Sequence, residues 1–225
     1  MYYGKDSSNE KRMQCRKKGK NIIGVLLGKC DIANAEHEVM DVCISSFLKR
    51  PTTNLRAINV ISNFINNIIY LKQKPGNASL CTASFLFISN GKMNCNVSGA
   101  GNVLYFTEDE VKVFDNANNQ ELGMKPSYVL EVNNEHKLHK KSNAFLLCTD
   151  ELLEQVNPEK IKSLLEQSGT PDIWMKSIID LCNNKDVPAM ALILKGSKGW
   201  ERTIKFIISI IPLVLLIGWL IWRLG

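Results

Sequence analysis

Phe145-Leu146-Leu147-Cys148-Thr149-Asp150-Glu151-Leu152-Leu153 is the stretch on which the reading of the fold turns. Four apolar residues in a row, too few for a helix of their own, fit a strand buried on both faces. The polar pair Thr149-Asp150 then closes the run, and Glu151-Leu152-Leu153 starts a new element. An Asp at the end of a core strand is placed to cap a helix or close a turn. A second run of the same kind, Asn21–Leu27 (NIIGVLL), reads as another buried strand.

Between the two runs the periodicity changes. Residues 33–49 and 53–72 place apolar side chains at helical spacing. Leu55, Ile58, Ile61, Phe64, Ile65, Ile68 and Ile69 form the stripe of the second, while Pro51 and Lys74-Pro75-Gly76 bound the helices. Short segments of period two follow at Ser84–Ile88, Asn94–Ser98, Val103–Phe106, Val111–Phe114 and Tyr128–Val132. Asn90-Gly91 between the first two is a hairpin turn. Pro158–Gln167 and Asp172–Cys182 read as helices, and Pro158 suits a first helical position. Ala189–Leu194 is a last strand. Strand, two helices, a meander, two helices and a strand predict one α+β layered domain over residues 21–195. Residues 1–20 carry Lys5, Lys11, Arg12, Arg16, Lys17, Lys18 and Lys20 against Asp6 and Glu10, and read as a basic, solvated arm, with contact to anionic lipid as the alternative.

The rest of the chain of 225 residues is uneven. Mean hydropathy of -0.08 excludes a polytopic membrane protein. Yet Phe206–Trp222 (FIISIIPLVLLIGWLIW) holds 17 residues without a charge, bracketed by Lys205 and Arg223. At ~1.5 Å per residue such a helix covers roughly 25 Å, near the lower limit for a span. Ile204 and Leu224 extend it, Trp219 and Trp222 suit an interface, and Pro212 is tolerated in a membrane helix. Residues 204–224 are therefore expected to form a transmembrane helix, joined to the domain by a juxtamembrane linker, 196–203. Lys195, Lys198, Arg202 and Lys205 precede the span and Arg223 follows it, which predicts a single-pass protein with its N-terminal domain in the cytoplasm.

Net charge of +6 is compatible with nucleic acid or an anionic membrane surface. The expected partners are membrane lipid, through the C-terminal helix, and a protein, with no nucleic acid. The seven cysteines include no C-x-x-C pair and lie mostly in apolar runs, as reduced buried thiols do. Asn77-Ala78-Ser79 and Asn96-Val97-Ser98 fit a glycosylation pattern that a cytosolic domain leaves bare. His136-x-x-His139 lies in a polar stretch without the Glu of a zinc-protease motif, and reads as surface histidines.

Several strings, in one order, resemble the metal-dependent Ser/Thr protein phosphatases of the type 2C (PPM) family, in particular compact bacterial members. Gly24-Val25-Leu26-Leu27-Gly28 is similar to G-V-x-D-G. Thr82-Ala83 is similar to a strand start G-[ST]-T-A. Asn96–Tyr105 (NVSGAGNVLY) resembles A-N-V-G-D-S-R-A-Y-L, Phe145–Leu153 resembles F-L-L-C-S-D-G-L, and Lys185-Asp186-Val187 lies where the family has D-N. The resemblance implies a two-sheet β-sandwich flanked by helices. It also implies a pair of Mn²⁺ or Mg²⁺ ions, held mainly by Asp carboxylates, with a bridging water as the nucleophile on phosphate.

The departures fall on the ligands. Leu27 stands in place of the bridging Asp, Ala100 in place of the G-D-S acid, and Val187 in place of the Asn after Asp186. Asp150 and Asp186 are the family carboxylates that remain, as residual metal positions. Asp31 and Glu36 lie near the lost D-G, and Arg12 and Arg16 match the phosphate-binding Arg by order alone. Hard divalent cations need several carboxylates to offset their charge. The expectation is a membrane-anchored, phosphatase-like pseudoenzyme without a cofactor, acting as a cytosolic interaction or regulatory module. An active divergent phosphatase using Mn²⁺ or Mg²⁺, and a structural subunit of a membrane assembly, are the alternatives.

Overall fold

Two antiparallel sheets lie face to face, and each carries helices on its outer side. The computed structural model describes residues 2–5, 12–30, 35–73, 81–116, 120–126, 135–139, 142–184 and 187–195. One sheet is built from β2 (Met13–Lys18), β3 (Asn21–Cys30), β4 (Cys81–Ser89), β5 (Lys92–Ser98) and β8 (His136–Lys137), in the order β2-β3-β4-β5-β8. The other holds β1 (Tyr2–Lys5), β10 (Ala189–Lys195), β9 (Ser142–Thr149), β6 (Gly101–Phe106) and β7 (Val111–Phe114), in the order β1-β10-β9-β6-β7. Helices α1 (Ala35–Lys49) and α2 (Leu55–Lys72) cover the first sheet. Helices α3 (Asp150–Leu153), α4 (Pro158–Gln167) and α5 (Pro171–Leu181) cover the second.

Alternation along the central strands sorts the apolar side chains into three buried layers. On β3, Ile23, Val25 and Leu27 pack with Val39, Phe47, Ile58 and Ile65 of the helices. Ile22 and Leu26 point the other way, into the layer between the sheets, with Phe145, Leu147, Met190 and Leu192. On β9, Leu146 and Cys148 turn outward to Trp174, Met175 and Ile178. Burial on both faces is why these strands are continuous apolar runs rather than alternating ones.

The ends of the elements are chemically marked. Asn157 and Thr170 cap α4 and α5 by accepting from the N–H groups of Glu159 and Ile173, ahead of Pro158 and Pro171. Asn54 does the same for α2, accepting from Arg56. Asn90 (φ 52°) and Gly91 (φ 73°) turn β4 into β5, both in the left-handed region that a two-residue type I′ turn requires.

The N-terminal stretch departs from the sequence reading. Tyr2–Lys5 pairs with β10 and Met13–Lys18 with β3, so these residues belong to the sheets rather than to a free arm. Met13 and Cys15 are buried while Arg16, Lys17 and Lys18 are exposed, so only the first half of β2 shows an inward pattern. The expected strand Tyr128–Val132 and the expected membrane helix 204–224, with Phe206, Pro212, Trp219, Trp222, Lys205 and Arg223, lie outside the described residues. Among the described residues no helix is long and apolar enough to cross a membrane.

Candidate functional site

One end of the sandwich collects the end of β3, the start of β4, the β5–β6 turn and the β9–α3 junction. Close approach of backbone holds them together. A Cβ on Gly101 would come within 2.6 Å of the Ala83 carbonyl oxygen, and one on Gly28 within 2.9 Å of Thr82 Oγ1 and 3.0 Å of Thr149 Cγ2. Gly99 takes φ 59° in the turn, against Thr82 and Glu121. The segment Gln120–Leu122 closes the rim. Gly99 N–H and Ser98 Oγ–H donate to the Gln120 carbonyl at 2.7 and 3.0 Å, and Leu122 bridges to Cys81.

Asp150 is the first residue of α3, directly after buried Thr149. Its N–H donates to the Ala100 carbonyl at 2.8 Å, across the β6–β9 pairing. Its carboxylate oxygen Oδ1 accepts from Asn102 Nδ2 at 2.5 Å, and Asn102 is only 2% exposed. Thr149 Oγ1 beside it is buried without a hydrogen-bond partner. Cys148 is fully buried, and burial followed by the negative charge of Asp150 pushes its thiol well above the ordinary range. A thiol so held is protonated at neutral pH and is no nucleophile.

Among the described residues, the positions that resemble the phosphatase ligands are not brought together. Leu27 is 0% exposed, in the apolar layer between β3 and helices α1 and α2, on the face opposite to that of Leu26. Val187 is also 0% exposed, packed with Trp174 and Ile178 in the outer layer of the other sheet. Ala100 is exposed in the turn and offers its backbone carbonyl. Asp186, Asp31 and the side chain of Glu36 lie outside the described residues. Arg16 is opposite Ile23 in mid-sheet, whereas Arg12 directly precedes β2 where Met13 pairs with Leu26, at the same end of the sheet as Gly28 and Asp150. Glu121, which no motif signalled, brings a second carboxylate to this end through its contact with the Gly99 turn. Among the described residues no three Asp, Glu, His or Cys side chains form a group able to hold a metal ion.

Among the described residues, then, the side chains do not fit a pair of divalent cations. One carboxylate with an amide on it, a half-buried Glu121 and apolar side chains at two aligned positions leave too little negative charge for two adjacent dications.

The opposite end of the sandwich holds a cavity of about 600 Å³, lined by Tyr105, Lys112, His136, Lys137 and His139 among others. Both histidines are half-buried rather than superficial. His136 packs on Phe114 with ring centroids 5.2 Å apart, and burial lowers its pKa, with the Lys112 charge adding to the effect and Glu110 opposing it. The backbone N–H of His139 donates to Asn143 Oδ1 at 2.7 Å and to Tyr105 Oη at 3.1 Å, while Tyr105 Oη donates to the same Asn143 oxygen at 2.6 Å. The Tyr105 and Asn143 side chains thereby tie the backbone at His139, ahead of β9, to β6.

No protein-family model and no curated protein matches the sequence. Solved structures match throughout the domain. PppA, described as a key regulatory component of the T6SS in Pseudomonas aeruginosa, has 13% identity and a TM-score of 0.65, over 87% of this chain and 98% of that one. A serine/threonine phosphatase of S. agalactiae has 15% identity and a TM-score of 0.68, over 86% and 98%. MsPP, a PPM Ser-Thr phosphatase of Mycobacterium smegmatis seen with cacodylate, has 11% identity and a TM-score of 0.66, over 87% and 97%. At such identities the likeness carries the fold. The structural neighbours are PPM Ser/Thr phosphatases, and the two-sheet, helix-flanked architecture is theirs.

Proposed function

We propose that this chain is a membrane-anchored, phosphatase-like pseudoenzyme, which uses the PPM fold as a cytoplasmic interaction or regulatory module. The observation that carries the reading is the fate of Leu27. The side chain aligned with a bridging carboxylate is part of the apolar layer under α1 and α2. An ionised group there would face hydrocarbon on all sides. Asp150 keeps a structural task instead, joining the β9–α3 junction to Asn102 of β6. A regulatory role on this fold has a parallel in PppA, which is described as a regulatory component of its system. Fold alone does not carry a function, so the reading stands on the site.

Anchoring is proposed from the uncharged run Phe206–Trp222 and from the cations before it. The partner then meets a domain confined to the membrane surface. The reading is tested by turnover. The full chain in detergent is expected to show no Mn²⁺- or Mg²⁺-dependent hydrolysis of p-nitrophenyl phosphate or of a phosphothreonine peptide. Metal-dependent turnover that Asp150→Ala abolishes would replace it with an active, divergent phosphatase.

A further inference from the structure

The two ends of the sandwich differ in charge and in their distance from the C-terminal segment. Gly28 lies against Thr149, while Gly24 lies against Leu147 and Met190, so β3 runs toward the Asp150 end. At the other end are the β2–β3 turn at Gly19-Lys20, the Asn90-Gly91 turn, and the end of β10, where Lys195 pairs with Ser142. From Asn21 to Gly28 is seven steps of about 3.3 Å, so the ends are ~23 Å apart. The chain thus leaves the domain for residues 196–225 at the end remote from Asp150.

β3 faces β9 and β4 faces β6, which sets β2 over β10. Met13 and Cys15 of β2 accordingly share a core layer with Met190 and Leu192 of β10. The β2–β3 turn therefore stands at the corner where β10 ends. Lys17, Lys18 and Lys20 are all exposed there, and Arg16, also exposed, stands further along β2. Among the described residues Lys17, Lys18 and Lys20 have no acidic partner, and Lys18 Nζ donates only to the Leu48 carbonyl, at 3.4 Å. The acidic turn Glu108-Asp109-Glu110 is at the same end but beyond β6, at the opposite corner.

We infer that the Lys17–Lys20 turn is a docking surface for anionic lipid headgroups, which stands the domain on the membrane with its Asp150 end turned to the cytoplasm. The inference rests on the anchored reading proposed above. Residues 196–203 separate Lys195 from the apolar run; eight residues reach at most ~29 Å fully extended, and a flexible coil of that length spans only ~16 Å. That is shorter than the sandwich, so the bilayer surface meets the β10 end first. Within a Debye length of that surface, each unpaired lysine is drawn to an anionic leaflet. Charge and tether then select one orientation, and a partner approaching from the cytoplasm meets the Asp150 end.

The test is a pair of labelled chains reconstituted in vesicles of phosphatidylcholine and phosphatidylserine. Fluorophores are placed by Lys20→Cys or by Ala100→Cys, with the unsubstituted chain as background and a headgroup-nitroxide lipid as contact quencher. Quenching at position 20 is expected to exceed that at position 100 by roughly threefold or more, and the difference is expected to shrink in ~1 M salt, where the Debye length is about 3 Å. Adding Lys17→Glu and Lys18→Glu is expected to reduce it as well; both are exposed, so the fold is spared. Equal quenching at the two positions, in a chain that resists carbonate extraction, would overturn this inference and leave the anchor standing. Extraction of the unsubstituted chain by carbonate would overturn both.

Discussion

Asn102 and Asp150, 48 residues apart, are joined by a hydrogen bond of 2.5 Å from Nδ2 to Oδ1, at the junction where β9 becomes α3. The bond makes the Asp150 carboxylate part of the framework. Asp150→Ala leaves the buried amide of Asn102 without its acceptor, which costs about 1–3 kcal/mol. The expected outcome is a lower denaturation midpoint, unchanged whether or not Mn²⁺ is present. A ligand bound only by the folded state would raise the midpoint with its concentration. A Mn²⁺-dependent rise that Asp150→Ala removes would mark Asp150 as a metal ligand instead.

Leu27→Asp tests the other side of the same reading. Leu27 is fully buried among Val25, Val39 and Phe47. A carboxylate there has no partner, and the substitution is expected to destabilise by more than about 3 kcal/mol without conferring metal-dependent turnover. A variant that folds with near-native stability and hydrolyses p-nitrophenyl phosphate with Mn²⁺ would show that Leu27 faces a competent site.

Alkaline pH should weaken the fold through its thiols. Burial pushes the Cys15 thiol from the ordinary 9.0 up to about 11, against a small opposing effect of Arg16. It pushes Cys43 and Cys148 higher still, and holds Cys95 well above the ordinary value. A folded-state pKa above the unfolded value means that the folded protein holds the proton more tightly. The stability these thiols contribute is complete below pH 9, and it is lost as the pH rises from there toward 11 and beyond. Denaturation midpoints in detergent, followed from pH 7.5 to pH 10.5, are therefore expected to hold level and then fall. A midpoint that rises across that range would contradict the buried, protonated state of the cysteines.

The anchor is tested by charge. Leu215→Asp combined with Leu216→Asp puts two carboxylates in the middle of the uncharged run, each costing about 2.5–3.5 kcal/mol at the centre of a membrane helix. The doubly substituted chain is expected in the soluble fraction and the unsubstituted chain in the membrane fraction. An unsubstituted chain that fractionates as soluble without detergent would remove the anchor from the account.

Legibility differed from element to element. Asn21–Leu27 and Phe145–Cys148 were readable because burial on both faces makes a strand uniformly apolar. Asn90-Gly91 was readable because its turn needs two positive φ values. Met13–Lys18 was not, because only Met13 and Cys15 face the core and the three cations after them imitate a solvated tail. His136–Lys137 is a two-residue strand and leaves no period to detect. At the site, the spacing of Thr149-Asp150 identified the strand-to-helix junction. It did not reveal that Asn102 would supply the partner, since that contact depends on the register of β6 against β9, where Asn102 stands opposite Cys148. Glu121 reaches the same end through the Leu122–Cys81 bridge, a pairing without a local signal. Which face of β3 Leu27 takes is likewise a tertiary fact: one residue of shift would exchange it with Leu26.

The most direct measurement of the central claim is the number of Mn²⁺ ions bound per chain, by equilibrium dialysis of the full chain in detergent at neutral pH. A hydrolytic pair needs two ions about 3.5–4 Å apart, sharing ligands. With Leu27 in an apolar layer and the Asp150 carboxylate on Asn102, fewer than two ions per chain are expected at saturation. Two ions per chain, lost together in Asp150→Ala, would contradict the account.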